Sequence, residues 1–223
     1  MNFEKLHGWD FNSRQAIELQ KQMAGKVAAE GIIRNIRYIA GFDVSINRAG
    51  DATSAAVVLA YPGLTVVEKV QVKGRPNFPY IPGLLSFREI PLVLQVCEKI
   101  ETTPDLILVD GQGIAHPRRF GLAAHLGLFL DIPTIGCAKS HLFGEYAEPT
   151  AAAGSFSYLI DPEDYLPVGA VVRTKSGVKP LYISIGHKIA LSSAINWVLQ
   201  CCKGYRLPEP TRLAHLASRE EPD

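Results

Sequence analysis

Residues 105–113 read DLILVDGQG. Leu106 to Val109 is an unbroken apolar run, too short for a helix, with turn-forming residues on its downstream side. Such a run predicts a strand covered on both faces, the habit of parallel strands in α/β proteins. The Asp110 carboxylate then sits at the carboxyl end of that strand, where open α/β sheets gather ligand chemistry. The competing reading takes Asp110-Gly111 as a simple turn pair.

Upstream, Arg37 to Ile46 reads as a strand that carries Asp43 behind a second apolar run, residues 38–42. Ser54 to Tyr61 and Thr65 to Lys73 follow as strands split by the turn Pro62-Gly63. The segment up to Gly31 reads as helical and amphipathic, and a further helix is expected from Ser86 to Ile100. Downstream come a helix from Phe120 to Leu130, a strand from Ile132 to Ala138 and a hairpin from Val168 to Ile185 across Lys175-Ser176-Gly177. A last helix from Leu191 to Lys203 closes at Gly204, a suitable residue just past a helix end. Three strands followed by alternating strands and helices predict an α/β fold. Its mixed sheet is an antiparallel meander plus parallel strands, with helices on its faces. No repeat or linker divides the chain, so one domain spanning residues 1–223 is expected.

The 223 residues are 47% hydrophobic and 20% charged, enough to build a full core. No apolar run approaches the ~20 residues that cross a bilayer. Met1 to Asp10 holds no signal-peptide core, so a cytoplasmic protein without a membrane partner is expected. Cys97, Cys137, Cys201 and Cys202 form no C-x-x-C pair and read as inert thiols. Net charge is only +1, yet Arg173, Lys175, Lys179, Lys188, Lys203 and Arg206 fall in a stretch free of acids. That stretch is either a phosphate-tracking surface or a solvated face.

If the strands ending in Asp43 and Asp110 are neighbours, two unpaired carboxylates meet at one edge, where they repel and are hard to desolvate. A divalent cation relieves that, and hard Mg²⁺ favours oxygen ligands. Glu89 supplies a third acid, sharing a helix face with Val93, Val96 and Ile100. Its alternative is the fourth residue of a capping box begun by Ser86, a register that Pro91 disfavours. Three carboxylates with magnesium suit phosphodiester hydrolysis. Lys139, at the end of residues 133–138, either holds the scissile phosphate or snorkels into solvent.

Pro76, Pro79 and Pro82 recur every third residue, the polyproline II period. They present Tyr80 and Ile81 on a stiffened loop, either as a wedge between bases or packed on the protein's own core. Gly111-Gln112-Gly113 allows close backbone approach to a ligand, although His116 stands where a dinucleotide fingerprint needs its third glycine. His116, Arg118 and Arg119 offer polar or phosphate contacts, and His116 reads equally as a structural histidine.

Five motifs then occur in order: residues 41–45 (GFDVS), 79–83 (PYIPG) through Glu89, 110–113 (DGQG) through His116 to Arg118, 133–136 (PTIG) through Lys139, and 207–212 (LPEPTR). Together they closely resemble the endonuclease V family from about Ile36 to Arg212. The resemblance implies a ribonuclease H-like fold. It also implies cleavage of the second phosphodiester bond 3′ to deoxyinosine, leaving 3′-hydroxyl and 5′-phosphate ends. It assigns Asp43, Glu89 and Asp110 to Mg²⁺, with Mn²⁺ as a substitute, and Lys139 to catalysis. Tyr80 becomes the strand-separating wedge, flanked by Pro79, Ile81 and Pro82. Gly83, Leu85, Gly111 and His116 fall where the family builds its base pocket, with Arg118 beside them. His215 lies near a position where the family carries an auxiliary metal-site residue. Cys137 departs from the valine of many relatives. The implied partners are deoxyinosine-containing DNA and, as a related substrate, inosine-containing RNA, bound by a monomer. Rival readings are another nuclease of the same fold and a non-catalytic inosine binder.

Overall fold

A computed structural model of the chain describes residues 1–31 and 33–220. Strands β1 (Tyr38–Ile46), β2 (Ala52–Ala60) and β3 (Thr65–Gly74) form the expected antiparallel meander. The run at residues 106–109 is β4 (Leu106–Val109), all four residues buried, and it pairs parallel to β1. β5 (Thr134–Ala138) pairs parallel to β4. β6 (Phe156–Ile160), β7 (Pro167–Val172) and β8 (Leu181–His187) complete an eight-stranded sheet in the order β3-β2-β1-β4-β5-β8-β7-β6.

Alternation along β1 sends Ile39 to one face and Ala40 and Phe42 to the other, and each face buries its own helices. α2 (Leu85–Lys99) and α3 (Leu122–Leu130) cover one side through Ile90, Val93, Leu126 and Phe129. α4 (Leu191–Gln200) and α5 (Glu209–Ala217) cover the other through Ile195, Val198, Ala214 and Ala217. The α/β fold with a mixed sheet and helices on both faces is thus as expected.

Four details differ from the sequence reading. The first helix is only α1 (Ser13–Ala24), fixed by a capping box in which Asn12 and Gln15 exchange hydrogen bonds of 3.0 Å. The residues before it run as a strap whose Trp9 ring stacks on Phe129 at 5.4 Å. β6 escaped notice because it is an edge strand that turns Phe156 and Tyr158 outward and buries only Leu159. α5 escaped because Pro208 and Pro210 read as breakers, yet Pro210 sits in the first turn, where a helix needs no N–H. α4 stops at Gln200, three residues before Lys203.

The four cysteines are free thiols. Among the described residues, no helix is long and apolar enough to cross a membrane.

Candidate active site

Parallel pairing of β1 and β4 places Phe42 opposite Val109, and the Asp110 N–H donates to the Phe42 carbonyl at 3.2 Å. The next residues are Asp43, still paired with Ala55 of β2, and Asp110, just past the end of β4, so the two acids stand side by side. β5 adds a third element: Gly136 is level with Val109, so Lys139 emerges on the same margin. Its ammonium forms an ion pair with Asp110 Oδ2 and donates to His215 Nδ1 at 3.2 Å. Ser218 Oγ donates to Asp43 Oδ2 at 2.6 Å, and His215 Nδ1 lies 3.3 Å from the same oxygen.

α5 brings His215 and Ser218 to this margin, and it does so across Gly41. A Cβ on Gly41 would lie 1.9 Å from the Pro210 carbonyl oxygen, so only glycine lets α5 seat against β1. Arg206 secures Lys139 from the other side, donating to the Lys139 carbonyl at 2.7 Å and to that of Pro180 at 2.8 Å.

Asp43, Asp110 and His215 each present a ligand atom within 4.8 Å of the others. Glu89 stands outside that trio but within its field. Burial, then the charges of Asp43 and Asp110, push its pKa up to about 8, against a smaller pull from Arg88. The capping-box alternative for Glu89 does not hold: Leu84 is the N-cap, no side chain caps α2, and Glu89 is buried. Burial raises the Asp110 pKa, Lys139 opposes that rise, and Asp43 adds to it. Lys139 thus pairs with Asp110, while Arg88 supplies the one opposing charge felt by Glu89. Hard oxygen donors joined by one imidazole, short of positive charge, suit a divalent cation such as Mg²⁺ or Mn²⁺.

Glu89 carries a stability consequence for the metal-free protein. Its folded pKa, about 8, exceeds the ordinary 4.5. Above pH 4.5 the unfolded chain releases this proton while the folded protein keeps it. The contribution is therefore full below that pH and is lost as pH rises through the folded value, at most about 1.4 kcal/mol per pH unit. In EDTA, the melting temperature should fall between pH 5 and pH 8, and Glu89→Gln should flatten the fall. Thermal melts of both proteins decide it: parallel curves would remove Glu89 from the strained cluster.

Beside the acids lies a cavity of about 330 Å³ lined by Tyr80, Ile81, Pro82, Gly83, Leu85 and Ser86 on one wall and Asp110, Gly111, Gln112 and Lys139 on the other. Tyr80 is 69% exposed, so it does not pack on the protein's own core. Buried Phe78 and Leu84 anchor the two ends of its loop, and Ile81 packs against them. The Gly83 carbonyl accepts three hydrogen bonds: from Gln20 Nε2 at 2.9 Å, His116 Nε2 at 2.9 Å and Arg118 Nη2 at 2.8 Å. His116 Nδ1 meanwhile accepts from the Arg118 N–H at 3.1 Å. Burial depresses the His116 pKa to about 4, so the ring is neutral at pH 7 and brings no charge to the cavity it lines.

Gln20 was missed in the sequence. Its signal was there: Ala16, Gln20 and Met23 share the buried face of α1, and an amide on such a face needs partners. Ser218 gave no sequence signal. Gly113 serves strand packing, since a Cβ there would lie 1.9 Å from the Ile185 carbonyl oxygen. The acid-free basic stretch does not form one track. Arg173 binds Glu148 and backbone carbonyls, Lys188 pairs with Asp131, and Lys203 donates to the Gly63 carbonyl.

The endonuclease V family model matches residues 21–216. An endonuclease V of Dehalococcoides mccartyi is 53% identical over 221 residues, covering 99% of this chain and 98% of its own. The chain belongs to the endonuclease V family. The crystal structure of endonuclease V from Streptomyces avermitilis superposes with a TM-score of 0.88 at 40% identity, covering 95% of this chain and 93% of that one. Endonuclease V of Ciona intestinalis, crystallised with a 24-mer DNA containing an inosine followed by a ribo-adenosine, gives 0.82 at 28% identity over 92% and 95% of the two chains.

Proposed function

We propose that this endonuclease V is a cytoplasmic, single-domain DNA repair nuclease. It recognises deoxyinosine and hydrolyses the second phosphodiester bond on its 3′ side, with Mg²⁺ or Mn²⁺. The observation that carries the reading is the cavity, which joins the Tyr80 loop to Asp110 and Lys139 in one space. Its size falls in the range of ordinary small-ligand clefts, roughly 300–1,000 Å³, and accommodates one extruded base.

On this reading Tyr80 enters the stack, backed by Pro79, Ile81 and Pro82, while the damaged base turns into the cavity against Gly83, Leu85, Gly111 and His116. Arg118 serves through Gly83, whose carbonyl it holds. Asp43, Asp110, Glu89 and His215 hold the cation. A bound divalent ion supplies Lewis-acid charge, which lowers the pKa of water and stabilises the leaving oxygen. Lys139 has three ammonium protons, and Asp110 engages one of them. A free one donates to a non-bridging oxygen of the scissile phosphate, where charge grows in the transition state. Water adds to phosphorus and the P–O3′ bond breaks. The leaving oxygen takes up a proton, so the ends are a 3′-hydroxyl and a 5′-phosphate. Inosine in RNA presents the same base edge and is the related substrate.

The test incubates the purified protein, expected to be a monomer, with a duplex carrying one deoxyinosine. Nicking one nucleotide beyond the lesion's own 3′ phosphate is expected in Mg²⁺ and none in EDTA. An intact duplex in Mg²⁺, or a nick elsewhere, would sink the proposal.

A further inference from the structure

Ser86, the second residue of α2, is 2% exposed and lines the cavity. Its hydroxyl belongs to a buried relay outside the catalytic cluster. Ser86 Oγ lies 3.0 Å from His125 Nδ1, His125 Nε2 lies 2.7 Å from His7 Nε2, and His7 Nδ1 lies 2.5 Å from the Gly8 carbonyl oxygen. A carbonyl only accepts, so His7 carries its proton on Nδ1. In a neutral ring Nε2 must then accept, which puts the His125 proton on Nε2. His125 Nδ1 accepts in turn, so the Ser86 hydroxyl has to donate. Every direction follows from Gly8.

Both rings are held neutral. His125 is fully buried, with Phe120, Phe87 and Phe129 centred 4.8, 5.3 and 5.5 Å from it. Burial lowers its pKa well below the ordinary value and lowers that of His7 as well. With its one proton committed to His125, Ser86 Oγ offers the cavity lone pairs only.

We propose that Ser86 Oγ is a specificity-determining acceptor for the base in the cavity, its polarity locked through His125 and His7 to the Gly8 carbonyl. The inference rests on the proposed function and names the atom that reads one edge of the base. Hypoxanthine carries a proton on N1, which such an acceptor receives. Adenine has a lone pair there, and two facing lone pairs exclude each other. The first turn of α2, which no side chain caps, adds N–H donors to the same wall; they suit the O6 of hypoxanthine and oppose the amino group of adenine.

Single-turnover cleavage is compared on duplexes that differ only in deoxyinosine, deoxynebularine (lacking both O6 and the N1 proton) or deoxyadenosine. Ser86→Ala should slow deoxyinosine cleavage by about tenfold, the loss of one hydrogen bond, with no slowing on deoxynebularine or deoxyadenosine, whose N1 lone pair the missing oxygen no longer opposes. His7→Phe, outside the cavity, frees the relay to reverse and should lower the same ratio, with no further fall in the double variant. An unchanged ratio in Ser86→Ala overturns the inference alone. So does an equal slowing on every duplex, the mark of a structural role. A wild-type protein that ignores deoxyinosine overturns this inference and the proposed function together.

Discussion

Asp110→Asn should reduce single-turnover cleavage of a deoxyinosine duplex by at least ~10³-fold, about 4 kcal/mol of transition-state stabilisation, while binding of that duplex changes little. The substitution is nearly isosteric, so the cavity keeps its shape. What it removes is a charge at the point where the sheet concentrates charge. Asp110 holds the Lys139 ammonium and is one of three side chains whose ligand atoms converge within 4.8 Å. Without it, the cation loses an oxygen ligand of full charge and Lys139 loses the anchor that aims it. Binding survives because the wedge and the Gly83 wall do not depend on this carboxylate. Asp43→Asn should behave alike, since Asp43 receives Ser218 and lies beside His215. Rapid-quench cleavage and gel-shift titration separate the two effects. A variant retaining a tenth of wild-type cleavage would take its acid out of the catalytic set.

The second large effect is expected from a residue with no side chain at all. Gly41→Ala places a methyl group 1.9 Å from the Pro210 carbonyl oxygen, a separation that real atoms do not sustain. α5 must retreat, and His215 and Ser218 move with it. A displacement of about 1 Å in a catalytic arrangement lowers rates ~10²-fold, and overpacking of this kind costs about 1–3 kcal/mol of stability. Both losses are expected in Gly41→Ala. Gly25→Ala, where the added atom meets nothing within 4 Å, should show neither. Cleavage rates and chemical denaturation of the pair provide the check: a fully active Gly41→Ala would show that α5 does not set the site.

Much of this was legible in the chain because the decisive strands are buried on both faces. An apolar run that ends in an acid, as at residues 106–110 or 38–43, leaves the acid nowhere but the sheet margin. Glu89 was legible from helical periodicity, and His215 and Lys139 from the family motifs. The exposure of Tyr80 was not, since proline spacing stiffens a loop without saying which way its aromatic ring points. β6 and α5 were hidden for opposite reasons: one strand shows its apolar side to solvent, and one helix begins with prolines. The bond from Ser218 to Asp43 and the donors gathered on Gly83 join residues 33 or more positions apart in sequence, Ser218 and Asp43 by 175. No local pattern encodes such pairs.

The three N–H groups converging on the Gly83 carbonyl also decide which molecule must deform during recognition. They tether the Tyr80 loop to α1 and to the segment after β4, so the loop is not built to swing aside as a gate. The distortion then falls on the nucleic acid, whose own pairing and stacking oppose it. How readily a lesion is found should therefore follow the softness of the helix around it, with frayed ends, mispairs and single strands surrendering their base most easily.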